Sequence, residues 1–166
     1  MLACVEAHCV DPIAPISLLD SRVNDCAEPI LAVDDMTPAG DQDPTLSFAG
    51  SSPLRYYVMR LRRRPAVVAS MTRHQSATQC LASADAEPWW IVMAPPDCPA
   101  SDLSTSDLRL VRVEPTQALK LHRGTWHAGP FFKAESALFF NLELADTNAN
   151  DHGFQSLGYQ CPLLLH

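Results

Sequence analysis

The sequence predicts an all-β protein, a sandwich or barrel of short strands. From residue 54 onward, runs of five to nine β-prone residues alternate with turns that contain glycine or proline. No long segment shows the 3.6-residue hydrophobic period of a helix. Closely spaced strands without helices between them are typical of sandwiches and barrels. The predicted strands are 55–61, 66–72, 77–81, 88–94, 107–113, 118–122 and 136–144.

A single domain is expected over residues 1–166, because this length fits one ordinary folding unit. Residues 1–53 contain six prolines, which break long helices. We interpret them as a loop-rich N-terminal segment with at most one short helix or edge strand. Residues 54–152 form the predicted β core.

The charge of the chain argues against nucleic acid and membrane partners. The formal net charge is −7, whereas both partners attract basic surfaces. Hydrophobic residues make up 47% of the chain and charged residues 19%, as in globular proteins. The one basic run, residues 60–64, is interpreted as the solvated end of an edge strand rather than as a phosphate site.

The cysteine pattern indicates reduced thiols and no structural zinc. No pair has the C-x-x-C spacing of zinc or redox sites. Residues 1–19 lack a basic start and carry Glu6 and Asp11, which argues against a secretory signal or a membrane span. We therefore expect a cytoplasmic protein. The cysteines are Cys4, Cys9, Cys26, Cys80, Cys98 and Cys161.

The segment from His122 to His127, HRGTWH, is the richest in catalytic residue types. In an extended strand, residues five apart face opposite sides. Gly124 changes this expectation, because glycine permits a tight turn or bulge that can re-aim the second histidine. We expect both imidazoles to face one cleft, suited to metal binding or acid–base work, and Gly129-Pro130 to end the segment as a turn. Structural histidines held by hydrogen bonds are the alternative.

Three segments carry a resemblance to a known family: HRGTWHAGPFF (122–132), TQCLASADAEPWWIVMAP (78–95) and FFNLELADTNANDH (139–152). Over about residues 55–152 the chain resembles the ureidoglycolate lyase family. The resemblance implies a cupin-like (RmlC-like) antiparallel β-barrel or jelly roll with an irregular N-terminal segment, and a homodimer. It also implies a carbon–nitrogen lyase that splits the small anion ureidoglycolate into glyoxylate and urea in allantoin degradation, part of purine catabolism.

Such a reaction needs a base for the hydroxyl proton, an acid for the departing nitrogen and a pocket for the carboxylate. By the resemblance, His122 and His127 are the expected acid–base pair, in an order left open. Glu143 is a further catalytic candidate if its face of the strand points inward. The expected substrate-binding residues, which meet the carboxylate or the ureido group or line the cavity, are Lys120, Arg123, Trp126, Thr78, Gln79 and His74.

A divalent metal is left open as a cofactor. The segment ending at His127 matches the second cupin motif, P-x-G-x-x-H, with His122 in place of the proline. The first motif, H-x-H followed by glutamate, falls at His74, where Ser76 replaces the second histidine and Gln79 is the nearest stand-in for the glutamate. A metal held by His74, Gln79 and His127 would have an amide oxygen in place of a carboxylate, so the ligand set is incomplete.

Two other functions remain open beside the lyase. A non-catalytic protein that binds a small organic acid would keep the fold and lack turnover. A different metal-dependent cupin enzyme, such as an isomerase or dioxygenase, would need ligands that Ser76 and Gln79 do not supply.

Overall fold

The computed structural model describes residues 8–41 and 43–166, and these consist almost entirely of β-strands. The strands are β1 (His8–Cys9), β2 (Pro15–Ser17), β3 (Ala27–Ile30), β4 (Leu54–Arg62), β5 (Val67–Arg73), β6 (Gln79–Ser83), β7 (Trp89–Ala94), β8 (Arg109–Val113), β9 (Ala118–Leu121), β10 (Trp126–Phe131), β11 (Ser136–Leu144) and β12 (Gly153–Pro162). The helical turns are α1 (Thr147–Asn150) and two short 3-10 helices, Ser21–Val23 and Ala100–Asp102.

The strands form two sheets that pack as the layers of a jelly-roll sandwich. One sheet has seven strands in the order β1-β12-β5-β10-β7-β8-β2, and the other has five in the order β3-β9-β6-β11-β4. Pairing is antiparallel except at β1 with β12 and β2 with β8. The predicted all-β class is confirmed.

The inner core lies between the two sheets, and a second core covers the outer face of the larger sheet. Trp89, Ile91 and Met93 of β7 belong to the inner core, whereas Trp90 and Val92 belong to the outer one. This division follows from the period of two in a strand, which sends successive side chains to opposite faces. β7 is therefore buried at every position.

The seven predicted strands all occur, within two residues at each end. The prediction of a turn at Gly129-Pro130 was wrong, because both residues lie inside β10. The pairing of β10 with β7 shifts register between Ala128 and Phe131. Such a bulge leaves a residue unpaired, so a proline without an N–H is tolerated there. β12, which no prediction included, pairs with β5 and carries the larger sheet beyond residue 152.

The N-terminal segment contains more strand than the sequence predicted. Besides β1, it supplies β2, which pairs with β8, and β3, which pairs with β9. β2 and β3 are edge strands, where a proline costs no ladder hydrogen bond if its nitrogen faces outward. Pro15 and Pro29 therefore do not prevent pairing. The single-domain boundaries remain a prediction.

Five cysteines have free thiols, and Cys4 lies outside the described residues together with the rest of 1–7. The free thiols belong to Cys9, Cys26, Cys80, Cys98 and Cys161.

Across residues 8–41 and 43–166, no helix has the length and hydropathy that a membrane crossing requires.

Candidate active site

A narrow cavity at one end of the sandwich brings three histidines together. Its free space is too tight to admit a water-sized sphere. Gln79 begins β6, Leu121 ends β9 and His127 is the second residue of β10, so these strand ends meet around it. The lining residues are His74, Ala77, Gln79, Leu121, His122, Thr125 and His127.

A tight turn after β9 places His122 and His127 on this one cavity. The N–H of Thr125 donates to the carbonyl of His122 at 3.2 Å, which closes the turn. Gly124 has a φ of 83°, a value that glycine adopts without strain. Its N–H donates to the His74 carbonyl at 2.6 Å and ties the turn to the end of β5. The expectation that Gly124 lets both imidazoles face one cleft agrees with this geometry.

His127 is a buried, neutral imidazole. Its Nδ1 lies 3.1 Å from the Thr125 carbonyl, which can only accept, so Nδ1 carries the proton and Nε2 keeps a free lone pair. Burial, with a smaller contribution from electrostatic interaction with His74, lowers the pKa of His127 to about 4. At neutral pH the ring is therefore able to accept a proton at Nε2, which lies 3.5 Å from Thr72 Oγ1.

His74 stands beside His127 in the same tautomer. The two ring centroids are 5.1 Å apart. His74 Nδ1 lies 2.6 Å from the Asp151 carbonyl, so this nitrogen donates there. The Asp151 carboxylate accepts the N–H groups of Gln75 and Ser76, at 2.7 Å each. The loop before β12 thus fixes His74 through both its backbone and its side chain.

A buried polar network fixes the amide of Gln79. Its Nε2 donates to Asn141 Oδ1 at 3.0 Å and to Glu143 Oε2 at 3.2 Å. Tyr57 donates to Glu143 Oε1 at 3.1 Å and accepts from Asn141 Nδ2 at 3.0 Å. Burial, together with the Glu143 charge, raises the pKa of Tyr57, which keeps the phenol a donor. Gln79 is 8% exposed, and its Oε1 has no hydrogen-bond partner among the described residues.

Glu143 points into the sandwich but does not line the cavity. It is 4% exposed and lies on the same face of β11 as Asn141. Its carboxylate reaches the site only through Gln79 and Tyr57. The geometry therefore gives Glu143 a positioning contact rather than contact with a bound molecule.

Three predicted binding residues lie away from the cavity. Lys120 alternates with the inward-facing Leu119 and Leu121, so it points to the opposite face of β9. There its Nζ donates to Glu28 at 2.8 Å and to the Thr45 carbonyl at 3.0 Å. These contacts hold the N-terminal segment on the sheet, so Lys120 does not meet a ligand in the cavity.

Trp126 and Thr78 are the other two predicted binding residues that lie away from the cavity. Trp126 precedes His127 in β10 and therefore faces the outer core, where its Nε1 donates to the Cys98 carbonyl at 3.0 Å. Thr78 is buried against the N-terminal segment, and its Oγ1 accepts the Ser47 N–H at 3.1 Å. Both side chains are structural in this arrangement.

Arg123 and His122 lie at the rim. Arg123 is exposed, and its Nε donates to the Gln75 carbonyl at 2.8 Å. His122 has a side chain that is 27% exposed; its Nε2 lies 3.1 Å from the Asn24 carbonyl and its Nδ1 lies 3.7 Å from Glu28. Nε2 is the protonated nitrogen, because a carbonyl only accepts.

The residues around the cavity do not fit a tightly bound transition metal. Among the described residues, no three His, Cys, Asp or Glu side chains are arranged to hold a metal ion. His74 and His127 each offer one Nε2, and the third candidate, Gln79, offers only a weak amide oxygen. No chemical step is therefore derived through a metal.

Sequence reasoning missed two contributors to the site, Tyr57 and Thr72, whereas Asp151 and His152 lie in the polar segment after β11 from which one residue was expected to close the pocket. His152 is exposed, with its ring centroid 5.8 Å from that of His74. Tyr57 pairs with Asn141 across β4 and β11, a partnership that depends on strand register. No local pattern reveals such pairing, although the alternation in NLEL did place Asn141 beside Glu143.

Comparison with known proteins identifies the family. The sequence model described as ureidoglycolate lyase matches residues 27–158. None of the curated proteins compared with this chain matches it significantly. Among solved structures, RmlC from Streptococcus suis in complex with dTDP-D-xylose is similar at 10% identity and a TM-score of 0.37, over 54% of this chain and 42% of that one. Because the family match spans most of its length, the chain belongs to the ureidoglycolate lyase family.

Proposed function

We propose that this chain is a carbon–nitrogen lyase that splits ureidoglycolate, or a closely similar ureido acid, into glyoxylate and urea. The reaction takes place at the cavity of His74, Gln79 and His127. The observation that carries the proposal is the unpartnered Oε1 of Gln79 beside the neutral ring of His127. The Gln79 oxygen recognises an N–H donor, and the His127 ring accepts a proton.

Gln79 binds the ureido group. Both hydrogens of its amide nitrogen are used by Asn141 and Glu143, so only Oε1 is left for a ligand. A buried acceptor without a partner is unfavourable, and an N–H donor that satisfies it gains the corresponding free energy. A ureido group, with N–H groups at its end, supplies such donors.

His127 acts as the base. Its Nε2 takes the proton of the substrate hydroxyl, the O–H electrons form the carbonyl of glyoxylate, and the electrons of the broken C–N bond pass to the ureido nitrogen. That nitrogen takes a proton from His122 and leaves as urea. His122 is partly exposed, and in its imidazolium form it turns from Asn24 to deliver the Nε2 proton. The proton held by His127 then passes through water back to His122, so both rings return to their starting states.

Arg123 meets the substrate carboxylate at the rim, next to Gln75. The cavity does not admit even a water-sized sphere, whereas ordinary ligand pockets have roughly 300–1,000 Å³. Binding of the ureido acid therefore requires the cavity to widen.

The test is release of glyoxylate from ureidoglycolate by the purified chain. His127→Ala is expected to lower the rate by about a hundredfold or more, the usual size of an acid–base contribution. The matched control is His166→Ala, because His166 is exposed near the C-terminus. Equal rates for both variants, or no glyoxylate from the unaltered chain, would contradict the proposal. Thermal stabilisation by ureidoglycolate without product would instead favour a binding protein.

A second experiment tests recognition apart from chemistry. Gln79→Met keeps the length of the side chain but removes the amide oxygen. It is expected to raise KM for ureidoglycolate more than it lowers kcat. An unchanged KM would exclude Gln79 as the contact to the ureido group.

We further propose that the chain forms a homodimer through the outer face of β4 and β11. Tyr56, Val58 and Phe140 are 69%, 52% and 39% exposed there, and the Tyr56 and Phe140 rings stack at 6.1 Å. Contiguous apolar surface of this kind marks interaction sites. Sedimentation should show a dimer that Tyr56→Glu dissociates and Phe154→Glu, on the other sheet, does not. A cytoplasmic location stays a prediction.

A further inference from the structure

The β5–β6 loop, residues 74–78, connects two walls of the candidate active site. Its first residue, His74, lines the cavity. The turn after β9 is bound to the same loop by two hydrogen bonds. Gly124 N–H donates to the His74 carbonyl at 2.6 Å. Arg123 Nε donates to the Gln75 carbonyl at 2.8 Å. The position of the β5–β6 loop therefore influences the position of the turn.

One residue, Asp151, makes three further hydrogen bonds to this loop. Its two carboxylate oxygens accept the N–H groups of Gln75 and Ser76, at 2.7 Å each. Its carbonyl lies 2.6 Å from His74 Nδ1. Hydrogen bonds to a carboxylate are shorter and stronger than those between neutral groups. Because each oxygen has its own donor, an amide in place of the carboxylate would set its NH2 group against a backbone N–H in either orientation.

Strand register and α1 bring Asp151 to the loop. In the antiparallel pair of β12 and β5, Gly153 lies opposite Arg73. Two residues earlier, Asp151 therefore comes opposite Gln75, beyond the ends of both strands. Asp151 N–H also donates to the Thr147 carbonyl at 3.0 Å. The helical turn thus fixes the backbone of the residue whose side chain holds the loop.

The contacts of Asp151 give it an indirect role in the site. Asp151 does not line the cavity. In the part of the chain that the structure describes, no Lys, Arg or His nitrogen lies within 4 Å of its carboxylate. Both of its oxygens are instead occupied by backbone N–H groups. Its carboxylate therefore holds backbone in place and is not directed at a bound molecule.

We propose that Asp151 is a positioning residue for the lyase reaction. It holds His74 against the proposed base, His127, and through the β5–β6 loop it holds the turn that carries the proposed acid, His122. The rings of His74 and His127 are 5.1 Å apart between centroids, so a displaced loop would leave a gap beside the base. Acid and base must both lie within hydrogen-bond reach of the substrate, so such a displacement lowers the rate of the chemical step. The proposal rests on the proposed function, which assigns the acid and the base.

Asp151→Asn tests the proposal, with Asp146→Asn as the matched control. Asp146 lies in the same segment between β11 and β12, and its Oδ2 accepts from Asn150 Nδ2 at 3.1 Å, a bond that an amide oxygen can also accept. Asp151→Asn should lower kcat for glyoxylate release by on the order of tenfold and change KM less. Asp146→Asn should change neither constant appreciably. Equal kcat values for the two variants would overturn the proposal.

Nitrogen-15 NMR at pH 8 follows the position of His74 without turnover. In the unaltered chain and in Asp146→Asn, His74 should carry a proton on Nδ1, and the N–H groups of Gln75 and Ser76 should exchange slowly with solvent. In Asp151→Asn these two groups should exchange faster by on the order of tenfold, because each loses a hydrogen bond to a charged group. Part of the His74 population should then carry its proton on Nε2, since the hydrogen bond that fixes the tautomer is weakened.

The two measurements separate this proposal from the proposed function. If the unaltered chain releases no glyoxylate, the proposed function fails, and NMR still decides whether Asp151 holds His74. Fast exchange of both loop N–H groups in the unaltered chain, or a His74 proton on Nε2 there, overturns the role of Asp151. That result does not depend on whether the Asp151→Asn variant folds.

Discussion

Burial of a neutral histidine makes the stability of the fold depend on pH in a way that one substitution should remove. The pKa of His127 is about 4 in the folded chain, against 6.5 for an ordinary histidine. The unfolded chain therefore binds a proton at pH values where the folded chain does not. The contribution to stability is complete above about pH 7 and is lost as pH falls toward 4.

The size of the loss follows from the two pKa values. Linkage gives a decrease in the free energy of unfolding of about 2 kcal/mol between pH 7.5 and pH 5 from this one residue. Burial is the main cause of the low pKa, and the charges of His74 and His152 contribute. His127→Gln cannot be protonated, so the stability difference between the unaltered chain and this variant should shrink by about 2 kcal/mol over the same interval.

Urea unfolding followed by circular dichroism at the two pH values measures this difference. His166→Gln serves as the control, because His166 is exposed. If the unaltered chain and His127→Gln lose the same stability between pH 7.5 and pH 5, His127 is not held neutral by burial.

Two further predictions concern the turn and the opposite face of β9. Gly124→Ala should lower the free energy of unfolding by about 1–3 kcal/mol in calorimetry, because the φ of Gly124 is 83° and the new Cβ would meet Pro96 at 3.2 Å. Gly40→Ala is the control, and it should change stability little because the space around Gly40 is open. Lys120→Met should lower stability by about 1 kcal/mol through loss of the Glu28 pair, which is partly exposed. Glyoxylate release should remain, and its loss from a folded Lys120→Met protein would place Lys120 in the site after all.

The strands could be predicted where the residues that favour a strand follow one another in the sequence. Runs such as 88–94 and 136–144 combine β-branched or aromatic residues with clear boundaries, and both occur as strands. β12 escaped because GFQSLGYQCP contains two glycines and mostly polar residues on its exposed face. Its pairing with β5 comes from tertiary contact, which a local pattern does not encode.

The site was partly predictable from alternation alone. Lys120 stands between two leucines, so a strand that buries both leucines between the sheets must turn Lys120 away. Trp126 and His127 are neighbours in β10, so they cannot both face one cavity. This rule does not apply to His122, because β9 ends at Leu121 and the chain changes direction in the turn at Gly124.

The orientation of one amide connects the fold to the proposed chemistry. A flipped Gln79 would set its oxygen against Asn141 Oδ1 and the Glu143 carboxylate, and these contacts between acceptors would be repulsive. Tyr57 holds Glu143 in place and remains protonated, so the orientation does not depend on pH in the neutral range. The strands that build the sandwich thereby hold the Gln79 amide oxygen at the cavity as an acceptor, and its preference for an N–H donor follows from the register of the β-sheet.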